Sequence, residues 1–221
     1  MTKPSTSALL QSLAGLALVA AALFGSAGRF DIPEFWAYLA VWVAVTVFGF
    51  LAIDPDLAEE RIRPGGRRLA PKYRLVVLIP LAHWCLAGLD RGRLHWSDTV
   101  PAALQVIALA LFALAWIVVL WAMHVNRFFS SVVRIQHERG HYVVTAAPYR
   151  WVRHPGYAGA ILATVMSGVV LGSWLSTAVA VLAVPLILWR TVGEDRLLRD
   201  QLPGYRDYAA QVRYRLIPGL W

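Results

Sequence analysis

GYAGAILATVMSGVVLGSWLSTAVAVLAVPLILW, residues 156–189, runs for 34 residues without a charged side chain. One crossing of a bilayer takes about 20 apolar residues, so the run is too long for a single span. Gly172-Ser173 interrupts it near the middle, and such a pair inside an apolar run signals a turn. The stretch reads as a tight helical hairpin whose two ends return to one membrane face. Pro155 precedes it. The proline ring suits the first turn of a helix, where the missing N–H is no loss, and it forces His154 away from helical geometry. The hairpin's first helix should start near His154-Pro155.

Working outward, charge also vanishes from Pro4 to Gly28, Phe35 to Ile53, Leu75 to Leu89 and, apart from His124, Thr99 to Asn126. The first of these follows Lys3 and ends in the small residues Gly25 to Gly28, as a signal peptide does. Its apolar stretch outruns the usual h-region of roughly 7 to 15 residues, so it is read as a retained span. Six spans result, the third and the two hairpin arms being short for a full crossing. Composition agrees: 58% apolar and 15% charged residues leave too little polar surface to coat a soluble 24.5 kDa domain. The expected fold is an all-α, polytopic membrane bundle, with residues 1–125 a four-span scaffold and 126–221 the functional region.

The net charge of +8 points to membrane lipids. No basic stretch interleaved with aromatics lies outside the hydrophobic framework, which speaks against nucleic acid as a partner. Placing the N-terminus in the cytosol puts Lys3, all six basic residues from Arg61 to Arg74, the five from Arg127 to Arg153 and the six from Arg190 to Arg215 on that side. Only Arg29, Arg91 and Arg93 remain outside. The positive-inside rule then sets both termini in the cytosol, and a chain rich in Ala, Leu and Arg reads as a bacterial inner-membrane protein. Cys85 is the sole cysteine, so an intrachain disulfide and a cysteine-rich metal site are excluded. His137 and His141 have helical ligand spacing but lie in a Gly-containing loop without a third ligand, and no metal is expected.

Polar and ionisable residues crowd both ends of the hairpin, in NRFFSSVVRIQHERGHYVVTAAPYRWVRHPGYAG (126–159) and WRTVGEDRLLRDQLPGYRDYAAQVRYRLIPGLW (189–221). The helix start at Pro155 presents free N–H groups and positive dipole beside Arg153, a place for an anion, although Arg153 and His154 would serve equally for lipid phosphates. The hairpin brings Glu194 and Asp195 back to the same face. A carboxylate at an interface needs a partner: Arg190, one turn earlier, supplies an i, i+4 pair, while a bound zwitterion is the other reading. Tyr142, Tyr149, Trp151 and Tyr157 offer flat walls for an aromatic ring or a sulfonium, or form an interfacial belt.

The string VVTAAPYRWVRHPGYAG, the hairpin, E-D-x-x-L, L-P-G-Y-x-x-Y and the closing R-L-I-P together resemble the isoprenylcysteine carboxyl methyltransferase family and its phospholipid-methyltransferase relatives, over about Asn126 to Pro218. The resemblance implies a membrane enzyme that uses S-adenosylmethionine under a lid formed by the C-terminal tail, and a lipophilic or lipid-anchored substrate. Carried over residue by residue, its cofactor positions fall on Gln136, His141, Val144, Tyr149, His154, Pro155, Tyr157 and Glu194. Ala147 stands where the pattern has Gly, and Asp195 where it has a second Glu. No G-x-G-x-x-G follows a predicted strand, so a soluble dinucleotide-type domain is unsupported. Methyl transfer requires the reacting atoms held at near-attack distance and a nucleophile stripped of water. A carboxylate nucleophile would be oriented by Arg153 or Arg190; an amine would need Glu194 or Asp195 as base. A membrane reductase using NADPH and a non-catalytic lipid-binding scaffold, packed through motifs such as Gly168-V-V-L-Gly172, are the rival readings.

Overall fold

The computed structural model describes residues 6–66 and 78–221, and all regular structure among them is helical. In chain order these are α1 (Thr6–Ala20, prolonged by a π-helical turn Ala21–Gly25), α2 (Pro33–Ala52), α3 (Pro55–Ile62), α4 (Leu78–Leu89, prolonged by a π-helical turn Asp90–Leu94), α5 (Ala102–Val125), α6 (Pro155–Val170), α7 (Trp174–Val181), α8 (Ala183–Gln201) and α9 (Tyr205–Gln211). The predicted third span began at Leu75; Leu75 to Val77 lie outside the described residues.

Among the described residues, four helical stretches are long and apolar enough to cross a membrane: Ala8–Gly25, Pro33–Ala52, Ala102–Val125 and Trp174–Gln201. Leu18, Val47, Phe48, Ile107 and Ile117 lie exposed on their outer faces, as lipid contact requires. The second hairpin arm is longer than expected. α7 runs into α8 without leaving helical geometry at Leu182, and the pair continues to Gln201, carrying Glu194 and Asp195 well past the apolar part. The first arm, α6, is short, as read from the sequence.

The hairpin forms where Gly172-Ser173 placed it. Gly172 has φ +76, a conformation costly for any residue with a Cβ, and the Ser173 hydroxyl caps α7 by accepting from the Ser176 N–H at 3.1 Å. Gly168 is needed for a different reason: a Cβ there would stand 2.4 Å from the Cα of Thr177, so the two arms touch backbone to backbone. α6 packs most extensively on α5, and the core between α1, α2, α5 and α6 is built from Leu23, Phe35, Tyr38 and Phe112. Two polar clusters pin the hairpin inside this apolar frame. His83 of α4 bonds the hydroxyls of Ser167 (2.8 Å) and Ser176 (2.5 Å), and Tyr38 reaches Ser167 at 2.8 Å. At the hairpin tip Asp90 accepts from the Ser97 N–H at 2.9 Å and the Ser173 hydroxyl at 2.5 Å. Without lipid or water as alternatives, such bonds act as interhelical glue.

Candidate active site

Beyond α5 the chain leaves helical geometry, and its polar groups must be paired by other means. Asn126 starts the loop: its carboxamide oxygen accepts from the Phe128 N–H at 2.9 Å and its amide nitrogen donates to the Tyr149 hydroxyl at 3.1 Å. α3 clamps the loop from below. Glu60 accepts from the Ser130 hydroxyl (2.8 Å) and from the Arg134 guanidinium (3.0 and 2.8 Å), and Asp56 accepts from Arg127 (3.1 Å) and Arg139 (2.5 Å). Although burial alone pushes the Glu60 carboxyl upward, the Arg134 pair and the Gly65 N–H hold it below its ordinary range. The same α3 sends Arg61 over the Phe129 ring, 5.3 Å from its centroid.

Between this loop, the start of α6, the end of α8 and α9 lies a cavity of about 470 Å³. That volume is in the range of small-molecule sites. Glu194 and Arg190 both face it, and the i, i+4 pair that was one of the two readings does not form directly. Tyr157 stands between them: its hydroxyl donates to Glu194 Oε2 at 2.7 Å and accepts from Arg190 Nε at 2.6 Å. Arg190 also donates to the Ser131 carbonyl at 2.7 Å. This part of the cavity therefore presents a carboxylate and a guanidinium joined by a phenol, each with hydrogen-bonding capacity to spare.

Asp195 has the opposite surroundings. It is 1% exposed, and its two oxygens accept from Arg153 (2.8 and 3.2 Å), Arg199 (3.1 Å), Arg215 (3.1 Å), Tyr205 (3.0 Å) and His154 (3.3 Å). Arg153, 3% exposed, uses its remaining donors on the carbonyls of Val212 (2.7 Å) and Arg213 (2.8 Å). Backbone bonds from Arg153 N to Tyr214 O and from His154 N to Arg215 O tie the C-terminal segment to the start of α6, and the Tyr208 hydroxyl closes on the Tyr149 carbonyl at 2.7 Å. Burial beside the Asp195 charge drives the Tyr205 phenol far above its ordinary range, so it stays protonated and donates to Asp195.

Of the sequence-predicted residues, His141, Val144, Tyr149, Arg153, His154, Tyr157, Arg190 and Glu194 all line the cavity. Gln136 and Pro155 do not. Gln136 is wholly buried beneath the loop, donating to the Phe128 carbonyl at 2.7 Å and accepting from Arg139, and Pro155 occupies the first position of α6. Both shape the site from behind. At the α6 N-terminus, where an anion was expected, a Cβ on Gly156 would lie 2.3 Å from the Phe129 ring, so that ring packs directly on the first turn. His141 stacks on Phe128 with centroids 4.4 Å apart, and burial, with Arg134 and Arg139 nearby, depresses its pKa to about 4. The imidazole is neutral at pH 7.

Sequence reasoning missed Arg61, Trp116 and Val119, which also line the cavity although they belong to the supposed scaffold. The signal for Arg61 was faint: a basic residue in a short amphipathic helix, indistinguishable from the other arginines of a positive-inside loop. Among the described residues, no group of three or more His, Cys, Asp or Glu side chains converges as metal ligands would.

Residues 106–200 match the model of the isoprenylcysteine carboxyl methyltransferase (ICMT) family. Two curated rice proteins, from Oryza sativa subsp. indica and subsp. japonica, are each named probable protein-S-isoprenylcysteine O-methyltransferase and are 42% identical over 93 residues. The alignment covers 39% of this chain and 47% of each relative, so the chain spans about half the length of the curated relatives it matches. The matched region takes in α6, the hairpin, Arg190, Glu194 and Asp195; it excludes α3 and Arg61.

Proposed function

We propose that this integral membrane protein is an S-adenosylmethionine-dependent methyltransferase whose acceptor is the carboxylate of a lipophilic molecule such as an S-prenylated cysteine. The observation that carries the reading is the Glu194–Tyr157–Arg190 relay, an acid and a base both open to one cavity at the end of an apolar hairpin. The family match and the printed names of the rice relatives support it.

The residues suit the cofactor's chemistry. A methionine zwitterion needs an anion for its ammonium, which Glu194 offers, and the adenine needs flat walls, which Phe128 and His141 offer with Tyr142 edge-on to Phe128. When bound, S-adenosylmethionine supplies a methyl group on a positively charged sulfur; transfer to a carboxylate leaves a neutral ester and a neutral thioether. No proton moves in that transfer, so the site needs no general base. This matters, because neither carboxylate is placed to act as one. Asp195 is enclosed by three guanidinium groups, and Glu194 already accepts from Tyr157. An amine acceptor would require such a base.

Arg190 is the cation that orients the acceptor carboxylate, since its Nε is fixed by Tyr157 and its stem comes off the last apolar turns of α8. Arg153, also expected to serve there, is a positioning residue. Its donors hold Asp195 and the C-terminal segment at the Val212 and Arg213 carbonyls. A second, apolar cavity of about 220 Å³ adjoins the first, sharing Trp116 and Ala160 as walls, and gives a lipophilic tail a place inside the bundle. The arginine asymmetry between the two ends of the bundle supports a cytosolic site with both termini inside.

The test is to purify the protein, supply S-adenosylmethionine carrying a labelled methyl, and offer N-acetyl-S-farnesyl-cysteine. Label in a base-labile ester is the expected product. Hydride transfer from NADPH with no response to S-adenosylmethionine would replace the reading with a reductase.

A further inference from the structure

Arg61 and Arg190 come from opposite halves of the chain and meet on one cavity wall. Arg61 NH1 donates to the Phe129 carbonyl at 3.3 Å and Arg190 NH2 to the Ser131 carbonyl at 2.7 Å, so the two guanidinium groups flank a single stretch of loop. Ser131 returns a bond from its hydroxyl to the Arg61 carbonyl at 2.9 Å, locking α3 to that loop. Among the described residues every other arginine lining the cavity reaches a carboxylate: Arg134 reaches Glu60 and Glu138, and Arg153 reaches Asp195. Arg61 and Arg190 reach none. Arg190 at least has the Tyr157 hydroxyl; Arg61 has a carbonyl and the face of Phe129. Burial and the neighbouring Arg190 charge both depress the Arg61 pKa, the cost of two like charges held together. Such a pair is costly to bury until an anion sits between its members.

The position of Arg61 says which anion. It lies on Phe129, the ring that roofs Gly156 and packs against the apolar cluster of Leu57, Val119 and Met123. Trp116, which packs against that same cluster, is also a wall of the second, apolar cavity. A carboxylate held by Arg61 therefore belongs to a molecule whose remainder is apolar. Glu194 and the Phe128–His141 stack serve the zwitterion and the ring of the cofactor.

Resting on the proposed methyltransferase reading, we infer that Arg61 is a specificity-determining residue that clamps the acceptor carboxylate together with Arg190 and so selects free acids over esters and amides. It is supplied by a segment outside the region that matches the family. The clamp also gives product release a physical cause, because esterification removes the charge that both arginines hold.

The experiment is equilibrium binding to the full chain in nanodiscs, with S-adenosylhomocysteine present, of N-acetyl-S-farnesyl-cysteine and of its methyl ester. The parent should bind the acid at least tenfold more tightly than the ester. Arg61→Gln should weaken the acid tenfold or more and the ester less than twofold, with S-adenosylhomocysteine affinity unchanged. Arg61→Lys, which keeps the charge over Phe129 and preserves the fold if Gln does not, should recover part of the acid preference. Equal loss for acid and ester would make Arg61 a packing residue and overturn the inference. So would loss confined to S-adenosylhomocysteine, or a parent that binds acid and ester alike. A parent that prefers the acid through Arg61 yet transfers no methyl would refute the methyltransferase reading and leave the clamp standing.

Discussion

Asp195 accepts from three arginines, a tyrosine and a histidine and is closed from solvent, whereas Glu194, the residue before it on the same helix, accepts from Tyr157 and opens onto the cavity. One residue along α8 turns the side chain by about 100°. That rotation separates a carboxylate that holds the fold from one free for a ligand. The contrast extends to the bases: Arg153 has its donors filled by Asp195 and the C-terminal segment, while Arg190 faces the cavity with only neutral acceptors. A site and its support are thus built from two adjacent acid–base pairs, and saturation of hydrogen bonds distinguishes them.

The contrast is broken most severely at Asp195. Removing one member of a buried ion pair leaves the others uncompensated, at a cost of about 3–5 kcal/mol. Asp195→Asn should therefore lower the melting temperature sharply without cofactor and expose the C-terminal segment to protease near Arg213. A variant that melts like the parent would show that the cage is not structural. Glu194→Gln should do the reverse. Its melting temperature without cofactor should stay near the parent's, while loss of charge-assisted bonds of about 1.5–3 kcal/mol each weakens S-adenosylmethionine roughly ten- to a hundredfold. Stabilisation by added cofactor, which follows its affinity, is the readout. Early melting with full cofactor stabilisation would move Glu194 to the side of Asp195.

Much of the frame was legible because apolar runs and turn residues are local signals. The charge-free run from Gly156 with its Gly172-Ser173 break became α6, the turn and α7–α8 as read, and the motif residues at its two ends mostly converged on one cavity. What escaped reading depends on partners distant in sequence. Asp195 read as a carboxylate on the same face as Glu194 and as a departure from a pattern; its partners come from residues 153, 154, 199, 205 and 215, and no spacing rule joins them. Sequence left a direct Arg190–Glu194 pair and a ligand-binding role as alternatives, because the choice lies with Tyr157, 33 residues before Arg190, which inserts its hydroxyl between them. α3 lay within the stretch read as a four-span scaffold, yet Asp56 and Glu60 clamp the loop that follows α5. The packing of Phe129 on Gly156 was equally invisible, since no local signal joins the two residues.

Tyr157 joins the open pair and offers a finer test. Tyr157→Phe keeps the ring but removes the hydroxyl that restrains Glu194 and Arg190, a loss of about 1 kcal/mol if each side chain then finds water. Expected are a small drop in stability, a several-fold loss of transfer rate and cofactor affinity within a few-fold of the parent's. Loss of cofactor binding as large as in Glu194→Gln would mean that the phenol itself is a ligand.

The smallest effect is at His141, which lines the cavity stacked on Phe128. Its pKa falls from an ordinary 6.5 to about 4, chiefly through burial and then through Arg134 and Arg139. Above pH 6.5 the imidazole is neutral folded or unfolded and contributes no pH dependence. Between 6.5 and 4 the unfolded chain binds a proton that the folded chain refuses, so folding weakens as pH falls; below 4 both states are protonated and the slope ends. His141 is half-buried, so solvent screening reduces the effect to about a few tenths of a kcal/mol per pH unit. His141→Asn should flatten the decline in melting temperature between pH 6.5 and 5, after subtraction of the parent's slope, and should leave pH 7 to 8 unchanged. A variant as acid-sensitive as the parent would mean that the ring gains protons on folding as readily as in water. The stacked, neutral imidazole on Phe128 would then be the wrong picture of that wall.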